Sequence, residues 1–426
     1  LPESWNWLAR KLDEQAETLQ SELVRVRRHL HANPEPSGEE RETTAFLAQR
    51  LKAAGLVPNV AQGGLGLWAD VSVGPDDASS PLVALRADLD ALRLQDEKTV
   101  EYRSQRPGVC HACGHDAHTT IVLGVGLATA AVQKLARRQR LRSGAALRLR
   151  LVFQPAEETS EGARWLVEQG VLDGVHSIVA LHVDPERLAG QVAVRYGALT
   201  ASCDEVCFTV SGQGGHAARP HHAVDSVAAG AQLVTSLYQF LPRSVDSRDP
   251  AVFTIGQLCG GYAANVIPER VTLRGSLRTT SAVARETLKR RIGDIVDGVE
   301  ELSGARIEYE FVRPLSAVVN DPRVTAALEE AATGVVGQSN VVTIERPSMG
   351  GEDFSVYLER VPGAMARLGC CPPGADRPVF LHSPRFDLDE RVLLLGTRLL
   401  LRAALLLSAR TVGEADNASA PRRTTG

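Results

Sequence analysis

The chain has 426 residues, more than one hydrophobic core usually serves, so two domains are expected. It is 44% hydrophobic and 23% charged, and 47 basic against 51 acidic residues leave a net charge of −4, a balance that points away from nucleic-acid or anionic-membrane partners. Seven cysteines argue against a disulfide framework and for a reducing, cytoplasmic compartment, although a start at Leu1 rather than Met leaves room for a removed leader.

In chain order, Leu8, Leu12, Leu19, Leu23, Val26 and Leu30 form one apolar stripe and predict an N-terminal helix stopped by Pro34 and Pro36. Ser37-Gly38-Glu39-Glu40 has the form of a capping box opening a second helix, which Gly55 ends. Short apolar runs at 82–87, 147–153 and 178–181 predict strands, with a helix at 119–135 between them. That alternation predicts an α/β catalytic domain whose twisted, largely parallel sheet is flanked by helices. From residue 204 the order becomes strand 204–211, helix 223–240, strands 251–258 and 266–277, helix 283–302, strand 307–312. This βαββαβ order is ferredoxin-like. The expected organisation is therefore a discontinuous domain of residues 1–197 and 314–409, an inserted α+β domain of residues 198–313, and a disordered tail of residues 410–426. The longest apolar run, from Val392 to Leu407, is broken by Arg398 and Arg402, so no membrane span of ~18 residues is expected.

Six segments carry chemistry. Cys110-His111-Ala112-Cys113-Gly114-His115-Asp116-Ala117-His118 is dense in groups that bind metals or move protons. It reads as metal ligation, as a C-x-x-C redox pair of Cys110 and Cys113, or as polar residues capping a helix. Phe153-Gln154-Pro155-Ala156-Glu157-Glu158 runs a strand into paired carboxylates, either a solvated loop or a metal ligand beside a general base. His182 and His382 each follow an apolar run, where a satisfied core or edge histidine is the plainer reading. Asp88 likewise ends a run. Parallel strands would gather Asp88, Glu157, Glu158 and His182 at one edge of the sheet, where open α/β sheets place their sites. Gly214-Gly215-His216 is a flexible loop, or a mobile one that delivers His216 to a substrate.

Taken in order, HACGHDAHT, FQPAEE, GGHAARPH, NVIP and MGGEDF, with Arg27-Arg28-His29-Leu30-His31 upstream and Leu381-His382-Ser383 downstream, resemble one family over nearly the whole chain. It is the amidohydrolase branch of the aminoacylase and carboxypeptidase family of dinuclear metallopeptidases. That branch includes hippurate hydrolase, N-acyl-amino acid amidohydrolases and hydrolases of indoleacetyl–amino acid conjugates. The resemblance implies two divalent ions per subunit (Zn, Mn, Co or Ni) held by Cys113, His115, Glu158, His182 and His382, with Cys113 bridging. It implies Glu157 as general base, Asp88 as a carboxylate orienting the centre, and His216 as oxyanion donor. Asn265, Arg278 and Gly350 would contact a small N-acyl-amino acid substrate, Arg278 as a carboxylate clamp. The inserted domain would be a lid and a homodimer interface. A carboxypeptidase or dipeptidase activity is the alternative. The sequence departs from the pattern at Cys110, Leu94 and Thr159-Ser160, which bears on substrate identity more than on the ligands.

Overall fold

The computed structural model describes residues 3–74, 80–139, 145–374 and 377–419. The chain forms two compact units: Leu1–Gly197 with Asn320–Glu345 and Val356–Gly426, and Ala198–Val319 with Arg346–Ser355.

The first unit is built on an eight-stranded sheet in the order Pro58–Val60, Leu67–Val73, Leu147–Gln154, Leu82–Asp88, Val175–Leu188, Gly363–Cys371, Val192–Val194, Val341–Thr343. The central strands are parallel: Leu82–Asp88 pairs with both Leu147–Gln154 and Val175–Leu188, and Val175–Leu188 pairs with Gly363–Cys371. All residues of Leu82–Asp88 are buried, as a strand covered on both faces requires. Among the helices, His115–Gln139, Pro322–Val336 and Arg391–Ser419 pack with the sheet and the N-terminal helices around one apolar core.

The N-terminal stripe forms two helices, Glu3–Thr18 and Gln20–Ala32, broken at Leu19, rather than one. The expected capping box is absent. Ser37 Oγ donates instead to Asp90 Oδ2 (2.6 Å), and the Arg41–Ala54 helix start is satisfied by Glu35, whose carboxylate accepts from Glu42 N (3.2 Å) and Thr43 N (2.7 Å). Gly55 does close that helix, in the left-handed region at φ 90°. Two helical stretches, His115–Arg138 and Arg391–Arg410, are long and apolar enough to cross a membrane, contrary to expectation. Their most apolar windows are 67% and 72% buried inside the fold, which accounts for their composition as core helices. The tail expected to be disordered from residue 410 continues as helix to Ser419, since no proline intervenes before Pro421; residues 420–426 lie outside the described ones.

The second unit is a four-stranded antiparallel sheet in the order Ala251–Gly260, Arg270–Thr279, Ser202–Ser211, Arg306–Leu315. Helices Ser226–Phe240 and Ala282–Ser303 complete the ferredoxin-like order and share its apolar core. Both have side-chain N-caps: Asp225 accepts from Val227 N and Ala228 N, and Ser281 from Ala284 N. The run expected as one strand at 266–277 is split, because Pro268 separates Val266–Ile267 from Arg270–Thr279. Arg346–Ser355, expected in the first domain, belongs to this unit. Its backbone is tied here: Ser348 N donates to Leu199 O (2.9 Å), Ala201 N to Gly350 O (3.2 Å) and Arg278 Nη1 to Met349 O (2.8 Å).

Candidate metal centre

Parallel register sets the site. Asp88 pairs opposite Gln154, and Arg86 opposite Ala180, so the exits toward Asp90 and Glu157 lie on the edge where His182 sits. Gly114 turns the chain from Cys113 into the His115–Gln139 helix. Its φ is +81°, and a Cβ there would come within 2.4 Å of Val183 Cγ2, so glycine is required on both counts. His382, on the loop after residue 377, has a left-handed φ of 62°. Its N–H donates to Ala112 O (2.7 Å), which fastens that loop beside Cys113.

The result is a cluster of donor atoms. Cys113, His115 and His182 form one group, Cys113, Glu158 and His382 a second, and His115, Glu157 and Glu158 a third, the donor atoms within each lying within 4.8 Å of one another. Cys113, His115 and Glu158 each belong to two of these groups, so the three groups form one continuous cluster. Cys113 Sγ is 3.6 Å from His182 Nε2, and His382 Nε2 is 3.6 Å from Glu158 Oε1.

Hydrogen bonds fix which nitrogens face inward. His115 Nδ1 lies 2.9 Å from Asp90 O and 3.2 Å from Asp90 Oδ1, and His182 Nδ1 lies 2.8 Å from Val183 O. Both Nδ1 atoms therefore donate outward, and both Nε2 atoms are left toward the cluster. His115 Nε2 and Glu158 Oε1 are buried without a hydrogen-bond partner in the protein. Two inward-facing orphaned donors in a Cys, His and carboxylate set are what a bound divalent cation would satisfy.

The electrostatics agree. Burial pushes the Cys113 thiol far above its ordinary value, so the thiolate needs a neighbouring cation. Burial, with Arg367 next, holds His182 well below the usual imidazole range, hence neutral and able to ligate. Burial is the largest influence on His115 and lowers its pKa, but Asp88, Cys113 and Asp90 together outweigh it and raise the ring above the ordinary imidazole value, so a cation bound there would compete with a proton. Burial raises Glu158.

Asp88, expected to orient the centre, lies beside it, its Oδ2 3.9 Å from His115 Nε2. It is fully buried, accepts from Arg86 Nη1 (2.6 Å), and its Oδ1 lies 2.6 Å from His118 Nδ1. Val183 N donates to His118 Nε2 (2.8 Å), so Nδ1 carries the proton toward Asp88. The residue that sequence reasoning missed is Asp90. It holds His115 as described, and its Oδ2 accepts from Glu158 N (3.0 Å) and Ser37 Oγ (2.6 Å). Asp88-Leu89-Asp90 at an extended strand exit places both carboxylates on one side, and that spacing was the available signal. Cys110 is a free, fully buried thiol, and burial raises its pKa to about 11, which does not suit a redox nucleophile. Burial lowers His111 to about 4.

Four expected residues lie in the second unit. His216 pairs with Val266, its Nδ1 accepts from Ala218 N (3.0 Å), and it shares a cavity of ≈ 670 Å³ with Tyr262, Asn265 and Arg270. Arg278 donates through Nη1 to Met349 O and through Nε to Ser276 Oγ (3.3 Å), so part of its fork is engaged in holding the glycine loop. Gly350 N donates to Ser348 Oγ (3.0 Å).

Residues 84–406 match peptidase family M20/M25/M40. The chain belongs to that family. It is 34% identical to N-acetyl-L-cysteine deacetylase of Bacillus subtilis, over 91% of this chain and 88% of that protein. It is 34% identical to the IAA-amino acid hydrolase ILR1-like 4 of Arabidopsis thaliana, over 92% of this chain and 88% of that protein. Among solved structures, the Bacillus subtilis YXEP protein, a dinuclear metal-binding peptidase of family M20, superposes with a TM-score of 0.76 at 30% identity, covering 92% of this chain and 99% of that one. This M20 chain is thus a hydrolase acting on amide bonds; it carries candidate metal-binding groups and is similar to a dinuclear metal-binding member of the family.

Proposed function

We propose that this M20 protein hydrolyses the amide bond of N-acyl-amino acids, with Cys113, His115, Glu158, His182 and His382 holding two divalent cations. The observation that carries this reading is the pair of outward-tethered imidazoles whose Nε2 atoms converge with Cys113 and Glu158 beside a further carboxylate, Glu157. When bound, the cations supply positive charge that polarises the amide carbonyl and makes water a better acid. Glu157, whose Oε2 lies 3.8 Å from His115 Nε2, takes the proton of the attacking water and returns it to the leaving amine. Asp90 and Asp88 hold the ligands, directly and through His118. To His216, Asn265, Arg278 and Gly350 we assign the substrate contacts that their motifs imply. A deacetylase and an indoleacetyl–amino acid hydrolase among the relatives support an N-acyl-amino acid as substrate class. Dimerisation through the inserted domain and a cytoplasmic location belong to the same reading, and size-exclusion chromatography with light scattering addresses the first.

The test is a panel of N-acetyl, N-benzoyl and indoleacetyl amino acids beside dipeptides, assayed with metal restored. Release of free amino acid from the acyl conjugates is the expected result. Turnover of dipeptides alone would replace this reading with the peptidase one.

A further inference from the structure

Behind the cysteine and histidine segment lies a cluster of buried polar atoms that the reaction does not use. His111 is 2% exposed, yet neither ring nitrogen has a hydrogen-bond partner in the protein. The same holds for His31 Nε2 and Arg27 Nη1, both on buried residues. The rings of His31 and His111 are 6.3 Å apart between centres. With each nitrogen roughly 1.1 Å from its ring centre, facing nitrogens at this separation approach to about 4 Å, beyond a direct bond and inside the span of about 5.6 Å that one water joins. Asp96 connects the group: its Oδ2 is 3.7 Å from His31 Nε2 and its Oδ1 is 3.1 Å from Lys98 Nζ.

A buried imidazole with both nitrogens unpaired loses about 1–3 kcal/mol for each, so native structures place water or an ion at such points. Charge favours water. Arg27 and Lys98 face three carboxylates, Asp116 (2.9 Å), Asp387 (2.7 Å) and Asp96, so no positive charge remains to draw an anion, and Arg27 Nη1, which lacks a hydrogen-bond partner, is a donor that cannot ligate a cation. His31 also reaches Asp116, its Nδ1 lying 2.7 Å from Asp116 Oδ2, so the cluster grips both ends of the stretch that carries Cys113 and His115.

We propose that the unpaired nitrogens of His31 and His111 share a structural water, and that through it His111 is a positioning residue anchoring the metal-binding segment to the Gln20–Ala32 helix. The sign of a stability change decides it. In metal-stripped protein, His111→Phe removes the ring nitrogens while keeping a ring. With bridging water present, the change strands that water and His31 Nε2, and Tm falls by roughly 2–4 °C. His111→Gln, which keeps a donor and an acceptor, recovers part of the loss. A His111→Phe variant as stable as the parent, or more stable, overturns the water site, because deleting unpaired nitrogens would then be a gain. Diffraction data from the parent at high resolution give a second readout: ordered water within hydrogen-bond distance of His111 supports the site, and a dry pocket or a bound ion overturns it. For the positioning role, the thiolate band of Co²⁺-loaded His111→Phe should shift and that of His111→Gln return; an unshifted band with a lowered Tm limits His111 to stability and overturns that role. Absence of the band in the parent would instead count against Cys113 as a ligand, and the stability and diffraction tests would still decide the water site.

Discussion

Asp90→Asn isolates what one carboxylate does for two candidate ligands. Asp90 is 1% exposed, and its oxygens meet His115 Nδ1 on one side and the N–H of Glu158 and the hydroxyl of Ser37 on the other. Burial alone would raise its pKa, but the bond to His115 and the bonds from Ser37 and Glu158 N hold it below the usual carboxylate range, so it acts as an anion. The amide of Asn supplies one acceptor where the carboxylate supplies two. Either the His115 contact or the Glu158 and Ser37 contacts must then face an NH₂ group. A hydrogen bond to a charged group contributes about 1.5–3 kcal/mol, and losing one such bond on the metal-binding side corresponds to a roughly 10–100-fold weaker metal affinity. The Asp90 backbone oxygen, 2.9 Å from His115 Nδ1, is retained, so the ring keeps its tautomer and the loss stays at the lower end of that range. Competition with a chromophoric chelator measures the affinity, with near-parental circular dichroism as the folding control. An Asp90→Asn protein that binds metal as tightly as its parent would refute the role given to this side chain.

Other outcomes follow from the same geometry. Glu157→Gln should retain its metal, read by elemental analysis, and lose about 10²–10⁴-fold in kcat, because the proton of the attacking water has no acceptor. Dialysis against a chelator should abolish turnover and lower Tm, and readdition of Zn²⁺, Mn²⁺, Co²⁺ or Ni²⁺ should restore both, since a cation bound only by the folded state stabilises it by mass action. Asp116→Ala should destabilise the protein by about 3 kcal/mol in denaturant titrations, because it strips a partner from fully buried Arg27. Glu40 gives a pH dependence. It is fully buried, and burial raises its pKa from 4.5 to about 7, so between those values the folded state holds a proton that the unfolded state has lost. Its contribution is full below pH ~4.5 and falls as pH rises through ~7, by about 3 kcal/mol in all. Glu40→Gln should gain on its parent in urea titrations across that interval.

The elements were legible where one physical signal dominated. Continuous apolar runs at 82–87 and 147–153 gave strands now seen as Leu82–Asp88 and Leu147–Gln154, because a strand buried on both faces must be apolar throughout. The candidate ligands were legible through the family resemblance of HACGHDAHT, FQPAEE and Leu381-His382-Ser383, since His182 and His382 taken alone read more plainly as core or edge histidines. What stayed hidden depended on contacts distant in sequence. Ser37 has the local form of an N-cap, yet Asp90 takes its hydroxyl and Glu35 does the capping, and a window of a few residues cannot register that exchange. Arg346–Ser355 went to the wrong domain for the same reason: hydrogen bonds to Leu199, Ala201 and Arg278, not its own composition, place it.

Backbone strain near the candidate centre is held by the same kind of distant contact. Ala156 and His382 have φ of 52° and 62°, in a region that non-glycine residues enter at a cost of about 1–3 kcal/mol. Ala156 is held from both sides: its N–H donates to Glu40 Oε1 (2.7 Å), and its carbonyl accepts from Glu161 N (3.3 Å) and Gly162 N (3.2 Å). A Cβ on Gly162 would stand 1.6 Å from Pro155 O, so glycine there lets this turn close. The turn carries the next two residues, Glu157 and Glu158, into the candidate metal-binding group with His115. His382 is held by Ala112 O from the segment that bears Cys113. The backbone at Ala156 and His382 is thus set by hydrogen bonds from segments distant in sequence, which offset the cost of the two dihedral angles.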